Sequence, residues 1–336
     1  MSTSTRVSYG VLAFTIILAG FLHLGGPLLA AFFSFLALRK LRLLTKRKWL
    51  ASILFGLVVA GLAFGAVYFT RAAVHALPEV AEHSIPSASA WAQARQIELP
   101  FTDVDTLRDF LINSVKEQAR YLQNVAHFAG RTTTYLLFTI IAIVAASSLF
   151  LKSGFNPYEE THAVKNNLYS VYSDEVSARF GDFYHSFSTV MGAQIMISSI
   201  NTVLTGVFVL AVQLPYAPLA IAITFLCGLV PIVGNLVSNT IIVFLALTVS
   251  LKLAIGALVF LVLIHKLEYF LNSKIIGSRI RNPVWLTLIA LIIGERLMGI
   301  PGLILAPVVL NYLRVEMLKI EVPPAPERSI VEPLNR

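Results

Sequence analysis

The chain has little cysteine and little charge, and each shortage excludes a class of protein. Its 336 residues include one cysteine, Cys227, which excludes disulfides within the chain and metal sites built on cysteine pairs. Only 13% of the residues are charged, against about 25% in an ordinary soluble domain, whereas 57% are hydrophobic. Because so few charges cannot coat a water-soluble particle, the composition predicts a membrane protein.

Charge is missing altogether from residues 186–251, a run of 66 residues. As one continuous helix this run would extend roughly 99 Å, about three hydrocarbon thicknesses of a bilayer. Backbone groups in lipid must pair internally, and the run lacks the two-residue alternation of barrel strands. The sequence therefore predicts an all-α polytopic membrane protein.

The charges that are present are unevenly placed. Six cations and no acid lie between two apolar blocks: Arg39, Lys40, Arg42, Lys46, Arg47 and Lys48. On a membrane protein such a cluster predicts a cytoplasmic loop. We therefore interpret the net charge of +8 as a topology signal, and nucleic acid is not expected as a partner.

Polar and apolar stretches divide the chain into six regions. Glycine and proline near His23 interrupt residues 7–38, which predicts two short helices, with a cleaved signal peptide as the alternative. Apolar periodicity also predicts an amphipathic helix over 105–128. The predicted regions are transmembrane helices 1–3 (1–76), an extracytoplasmic amphipathic region (77–130), transmembrane helix 4 (131–152), a cytoplasmic amphipathic linker (153–190), the C-terminal transmembrane region with the candidate pathway (191–320) and a disordered tail (321–336).

Glycine and proline interrupt two apolar stretches of the C-terminal transmembrane region, at 228–235 and at 294–302. At membrane depth such breaks are tolerated only inside protein or beside a water-filled cavity, and many transporters form a solute or ion site with discontinuous helices. Ordinary turns between adjacent spans are the alternative. The candidate pathway residues are Gln194, Pro231, Gly234, Asn235, Asn239, Glu268, Glu295, Gly299, Pro301 and Gly302.

Two groups of ionisable residues lie in or beside these stretches. His265 and Glu268 share a helix face, and an imidazole beside a carboxylate could carry a coupling proton. The alternative is that they form the polar end of a span at the interface. Glu295 and Arg296 are flanked by apolar residues, where charge is expensive. No metal site and no cofactor are expected, apart from H⁺ or Na⁺ as a coupling ion.

Enzyme motifs are absent from the sequence. It contains no His-Glu-x-x-His, no Gly-x-Ser-x-Gly and no phosphate-binding glycine-rich loop. The sequence therefore predicts a protein that is not an enzyme and that does not itself bind ATP to drive transport.

Six short motifs follow one another through the second half: Gly192-Ala193-Gln194, Leu229-Val230-Pro231-Ile232-Val233-Gly234, Leu267-Glu268-Tyr269, Lys274-Ile275-Ile276-Gly277, Asn282-Pro283, and the stretch from Met298-Gly299-Ile300-Pro301-Gly302 to Pro307. In order and spacing they resemble the autoinducer-2 exporter (AI-2E) family of bacterial membrane proteins. Each motif is short and apolar, so the resemblance depends on their common order.

This resemblance implies about eight transmembrane helices, broken or re-entrant elements in the second half, cytoplasmic termini, a bacterial inner-membrane location and a homo-oligomer, namely a pentamer. It also implies secondary transport. The leading hypothesis is export of a small polar solute, such as an autoinducer-2-like signal, across the lipid bilayer. The alternatives are a sodium/proton antiporter and a non-transporting membrane scaffold that presents the extracytoplasmic region to a partner.

Overall fold

The fold is helical throughout the residues that the computed structural model describes, which are 3–93, 125–153, 167–231, 233–275 and 283–320, and no strand occurs among them. The prediction of an all-α polytopic protein is confirmed. In chain order the helices are α1 (Thr3–Phe21), α2 (Gly25–Thr45), α3 (Lys48–Gln93), α4 (Val125–Ser153), α5 (Leu168–Ala211), α6 (Ala217–Gly228), α7 (Val233–Val249), α8 (Leu251–Ile275), α9 (Val284–Met298) and α10 (Ile300–Leu318).

Five of these helices are long and apolar enough to cross a membrane, namely α1, α3 over Lys48–Ala72, α4 over Thr134–Lys152, α5 and α10. Three others are shorter. The 12 residues of α6 extend about 18 Å, the 17 residues of α7 about 25 Å and the 15 residues of α9 about 22 Å. None of these lengths reaches across a hydrocarbon core of about 30 Å. The second half therefore contains apolar helices that are too short to cross such a layer alone.

Tight turns join the first three helices. His23 between α1 and α2, and Lys46 between α2 and α3, adopt left-handed backbone conformations with φ of 55° and 57°. The helix break that the sequence predicts near His23 is therefore present. The start of α3 and the end of α4 pack against α2, and the buried side chains between them are Leu38, Ala51, Phe55 and Phe150.

The long helix α5 is the centre of the second half. Its 44 residues contact α1, α6 and α10. Phe183, Phe187 and Met191 on this helix are fully buried, and the ring centroid of Phe32 in α2 lies 5.0 Å from that of Phe187. Because this aromatic core links α2 to α5, it fixes the first half of the chain against the second.

Both predicted breaks are present, and both are narrower than the predicted ranges of 228–235 and 294–302. The first separates Gly228, the last residue of α6, from Val233, the first of α7. The second was expected over 294–302, whereas α9 continues to Met298 and only Gly299 separates it from α10. Gly299 turns the chain with φ 65° and ψ −141°, a conformation that glycine adopts without a steric penalty. Pro301 lies in the first turn of α10, where its missing N–H costs no helical bond.

Some predicted segments lie wholly or partly outside the described residues. Of the predicted amphipathic helix over 105–128, only 125–128 are described, as the start of α4. The predicted tail over 321–336 is not described at all. Within the predicted linker over 153–190, residues 154–166 are outside the described part, and the residues from Leu168 onward belong to α5.

Candidate functional site

The first break lies against the helices that flank the second break. Val230, between α6 and α7, packs on a buried apolar cluster formed by Leu291 of α9 with Leu303 and Ala306 of α10. Leu291 precedes Gly299 in the chain and Leu303 follows it. The structure therefore brings the two breaks, predicted separately from the sequence, into one region.

Side chains of α5 bind the free carbonyl groups at the end of α6. The Gln194 amide (Nε2) donates to the Gly228 carbonyl oxygen at 2.6 Å, and the Ser198 hydroxyl donates to the Phe225 carbonyl oxygen at 2.7 Å. The last carbonyls of a helix have no partner within it, and in an apolar setting each needs one from elsewhere. Gln194 thus borders the first break as a polar side chain.

On the α7 side of this break, a hydrogen bond to the Glu268 carboxylate joins α7 to α8. The Asn235 amide (Nδ2) donates to Glu268 Oε2 at 2.5 Å. Glu268 is only 8% exposed, whereas the side chain of its neighbour His265 is 72% exposed and its Nδ1 lies 3.9 Å from the same oxygen. Among the described residues no lysine or arginine pairs with Glu268. Glu268 is thus a buried carboxylate whose partners among the described residues are an amide and an imidazole.

The other predicted residues of the first break are close to this pair. A side chain at Gly234 would lie 1.7 Å from the Cys227 carbonyl oxygen, so the turn needs glycine there. Pro231 is half-buried in the connecting segment, and Asn239 is half-buried one turn after Asn235. The break is therefore narrow, and its polar groups come from the helices on either side.

The second break is closely packed against its neighbours. Gly302 is buried against the backbone of Gly294, and Pro301 packs against Gly25 at the start of α2. Glu295, like its neighbour Arg296, is exposed on α9. The two predicted carboxylates are thus in contrasting surroundings, since Glu268 is buried and hydrogen-bonded.

A second polar cluster was missed by the sequence analysis. Glu316 of α10 is only 4% exposed and accepts hydrogen bonds from the Tyr9 hydroxyl of α1, from Arg179 of α5 at 2.6 Å and from Lys319 at 2.7 Å. Lys319 also donates to Asp182 at 3.0 Å. The available signal was the i, i+3 spacing of Arg179 with Asp182 and of Glu316 with Lys319, but nothing in the sequence relates the two pairs.

Charge is balanced within this cluster. Burial alone would lower the pKa of Lys319, but its hydrogen bonds to Glu316 and Asp182 outweigh that effect and raise the pKa. Arg179 also lies over the Tyr9 ring, 5.0 Å from its centroid. The cluster connects α1, α5 and α10 at the ends of α1 and α10 that are remote from Gly299.

The six predicted topology residues lie at and around the connection between α2 and α3. Arg39, Lys40 and Arg42 are in the last turns of α2, Lys46 and Arg47 lie in the connection, and Lys48 begins α3. All but Lys48 are exposed. Over the described ranges, no group of three or more His, Cys, Asp or Glu side chains could hold a metal ion.

Comparison with known proteins agrees with a transporter. Residues 10–319 match the sequence model of a family described as "AI-2E family transporter". A protein of Bacillus subtilis (strain 168) named "Putative transport protein YdbI" is 26% identical over 183 residues, which are 54% of this chain and 52% of that protein. The chain thus aligns with about half the length of this relative. Together with the helices that can cross a membrane, the family match identifies a multi-pass membrane protein, and the chain belongs to the AI-2E transporter family.

Proposed function

We propose that this transporter is a secondary exporter of a small polar solute, an autoinducer-2-like signal. The observation that supports the proposal is the set of polar side chains at the first break, namely Gln194, Asn235 and Glu268. A polar solute that leaves water needs hydrogen-bonding groups in exchange, and the amides and the carboxylate offer both donors and acceptors.

In this proposal the solute passes between the two breaks. Val230 and the cluster of Leu291, Leu303 and Ala306 fill that space with apolar contacts. Passage therefore requires that Val230 separate from the cluster, and Gly299 is the hinge about which α9 and α10 move apart. The two breaks then act as one gate with polar groups on its α5, α7 and α8 side.

Glu268 favours a second candidate function, sodium/proton antiport. A buried carboxylate that exchanges a proton for Na⁺ needs an uncharged polar partner and access to protons. Asn235 is an uncharged polar partner of this kind. The exposed imidazole of His265 would give protons access to the carboxylate. In this function Glu268 would bind H⁺ and Na⁺ in turn, and no organic solute would move.

The location and assembly follow from the same proposal. The six cations of the α2–α3 turn favour a cytoplasmic position for that turn, and the family resemblance favours cytoplasmic termini. The family resemblance favours the bacterial inner membrane and a homo-oligomer, a pentamer. Cysteine labelling of the α2–α3 turn in intact cells and mass measurement in lipid nanodiscs test these two points.

Flux from proteoliposomes separates the candidate functions. The exporter predicts release of loaded autoinducer-2 that is independent of Na⁺ and is slowed about tenfold by Asn235→Leu, the equivalent of one lost hydrogen bond. The antiporter predicts that added Na⁺ collapses a pH gradient and that Glu268→Gln abolishes this. Lys266→Gln, an exposed position on the same helix, is the matched control. If the wild-type protein moves neither solute nor ion, both proposals are wrong and the scaffold role is favoured.

A further inference from the structure

The turn between α2 and α3 carries a dense positive charge that the described structure does not neutralise. Six cations fall within residues 39–48, and the first acidic residue of the chain is Glu79. Within the described ranges none of the six forms an ion pair with a carboxylate. Because α3 can cross the membrane from Lys48 onward, this charge lies at the level of the lipid headgroups.

Exposed apolar side chains accompany these cations. Leu44 is 80% exposed, Trp49 is 57% exposed, and Leu43 beside them is exposed as well. Leucine and tryptophan next to lysine and arginine are typical of a surface that lies at the boundary between headgroups and acyl chains. The same turn can therefore contact the two parts of a phospholipid at once.

This surface is built on a rigid base. The Lys48 ammonium donates to the Leu151 carbonyl oxygen at the end of α4, which brings the cation Lys152 beside the turn. The Thr45 hydroxyl donates to the Leu41 carbonyl oxygen at 2.8 Å, closing the last turn of α2. Beneath the surface lies the buried cluster that contains Leu38 and Phe150. The backbone that carries the cations is thus held by packing between α2, α3 and α4.

We infer that this basic turn, defined as residues 39–49 together with Lys152, is a binding site for the headgroups of anionic phospholipids. The guanidinium and ammonium groups bind the headgroup phosphates, and Leu43, Leu44 and Trp49 contact the upper acyl chains. A topology signal needs its charge only during insertion. A lipid site needs it in the folded transporter, so the bilayer around this turn is enriched in anionic lipid.

Trp49 is a built-in reporter for the test. In a protein with Trp91→Phe and Trp285→Phe, Trp49 is the remaining tryptophan. The protein is placed in vesicles of phosphatidylglycerol and phosphatidylcholine in equal amounts, with bromine on the chains of one lipid or the other. We expect brominated phosphatidylglycerol to quench Trp49 with an apparent affinity roughly threefold or more above that of brominated phosphatidylcholine, and salt at ~1 M to remove the difference.

Two variants with equal loss of charge complete the test. Arg39→Gln, Lys40→Gln and Arg42→Gln together are expected to reduce the preference by at least half. The control removes three exposed cations elsewhere, by Lys252→Gln, Lys266→Gln and Arg296→Gln, and is expected to keep it. Equal quenching by the two lipids in the parent protein at low salt would overturn the inference, as would a preference that falls by less than half in the first variant. The readout needs no transported solute, so it stands apart from the proposed function.

Discussion

Gly294 of α9 and Gly302 of α10 lie so close that a Cβ on Gly302 would come 1.8 Å from the Gly294 carbonyl oxygen. The obstacle is backbone, which cannot move aside as the end of a flexible side chain does. The backbones of α9 and α10 are therefore in direct contact at these two glycines, which lie before and after Gly299. This contact shapes the surface on which Val230 packs.

We expect Gly302→Ala to force α9 and α10 apart and to destabilise the protein by about 1–3 kcal/mol, the usual cost of overpacking. Gly256→Ala is the matched control, since a Cβ at Gly256 in α8 would meet nothing within 4 Å and alanine favours a helix. Thermal unfolding of the purified proteins, followed by loss of the monodisperse peak, compares them. Equal melting temperatures would contradict the close packing.

The position of Gly299 requires glycine because of its backbone conformation. A Cβ there would meet nothing within 4 Å, but the φ of 65° with ψ of −141° is strained for other residues. Gly299→Ala should therefore cost about 1–3 kcal/mol through the backbone alone. The same melting measurement applies, with Gly192→Ala in α5 as the control at an open helical site. A stability gain on Gly299→Ala would show that this turn is free to adopt another conformation.

Ser198 and Ser199 are adjacent on α5 but have different partners. Ser198 donates to the Phe225 carbonyl oxygen in α6, whereas Ser199 donates within its own helix to the Ile195 carbonyl oxygen at 2.7 Å. Ser198→Ala leaves a carbonyl at the end of α6 unpaired, with an expected loss of about 1–3 kcal/mol. Ser199→Ala should change stability by less than about 0.5 kcal/mol. Denaturant titration distinguishes the two, and a reversed order would refute the assigned contacts.

The pairing of Arg179 with Glu316 predicts a non-additive pair of mutations. Arg179→Met alone leaves a buried carboxylate without its arginine and should cost about 3–5 kcal/mol. Combining it with Glu316→Leu removes both charges, and most of the stability should return. Lys319→Met is the control within the cluster, because this lysine is half exposed and should matter by about 1 kcal/mol or less. A double variant as unstable as Arg179→Met would contradict this account.

Periodicity and composition were sufficient to predict the helices but not to predict which residues of different helices contact one another. The turn at His23 was predicted because glycine and proline act locally, and it is present. The predicted width of the second break was wrong because Gly294 was taken to interrupt the helix, whereas α9 continues through it to Met298 and presents Glu295 and Arg296 as exposed residues. The ion pair of Arg179 with Glu316 joins residues 137 positions apart, a relation that no local pattern contains.

By itself, the sequence determined that this is a helical membrane protein, where its chain is interrupted and which family it resembles. These properties follow from hydrophobicity and from the backbone limits of glycine and proline, which act over a few residues. Only the tertiary structure decided that Asn235 contacts Glu268, that Glu268 is buried while Glu295 is exposed, and that Val230 joins the two breaks. Such contacts depend on how whole helices pack, because burial and hydrogen bonding between distant residues arise only when those helices meet.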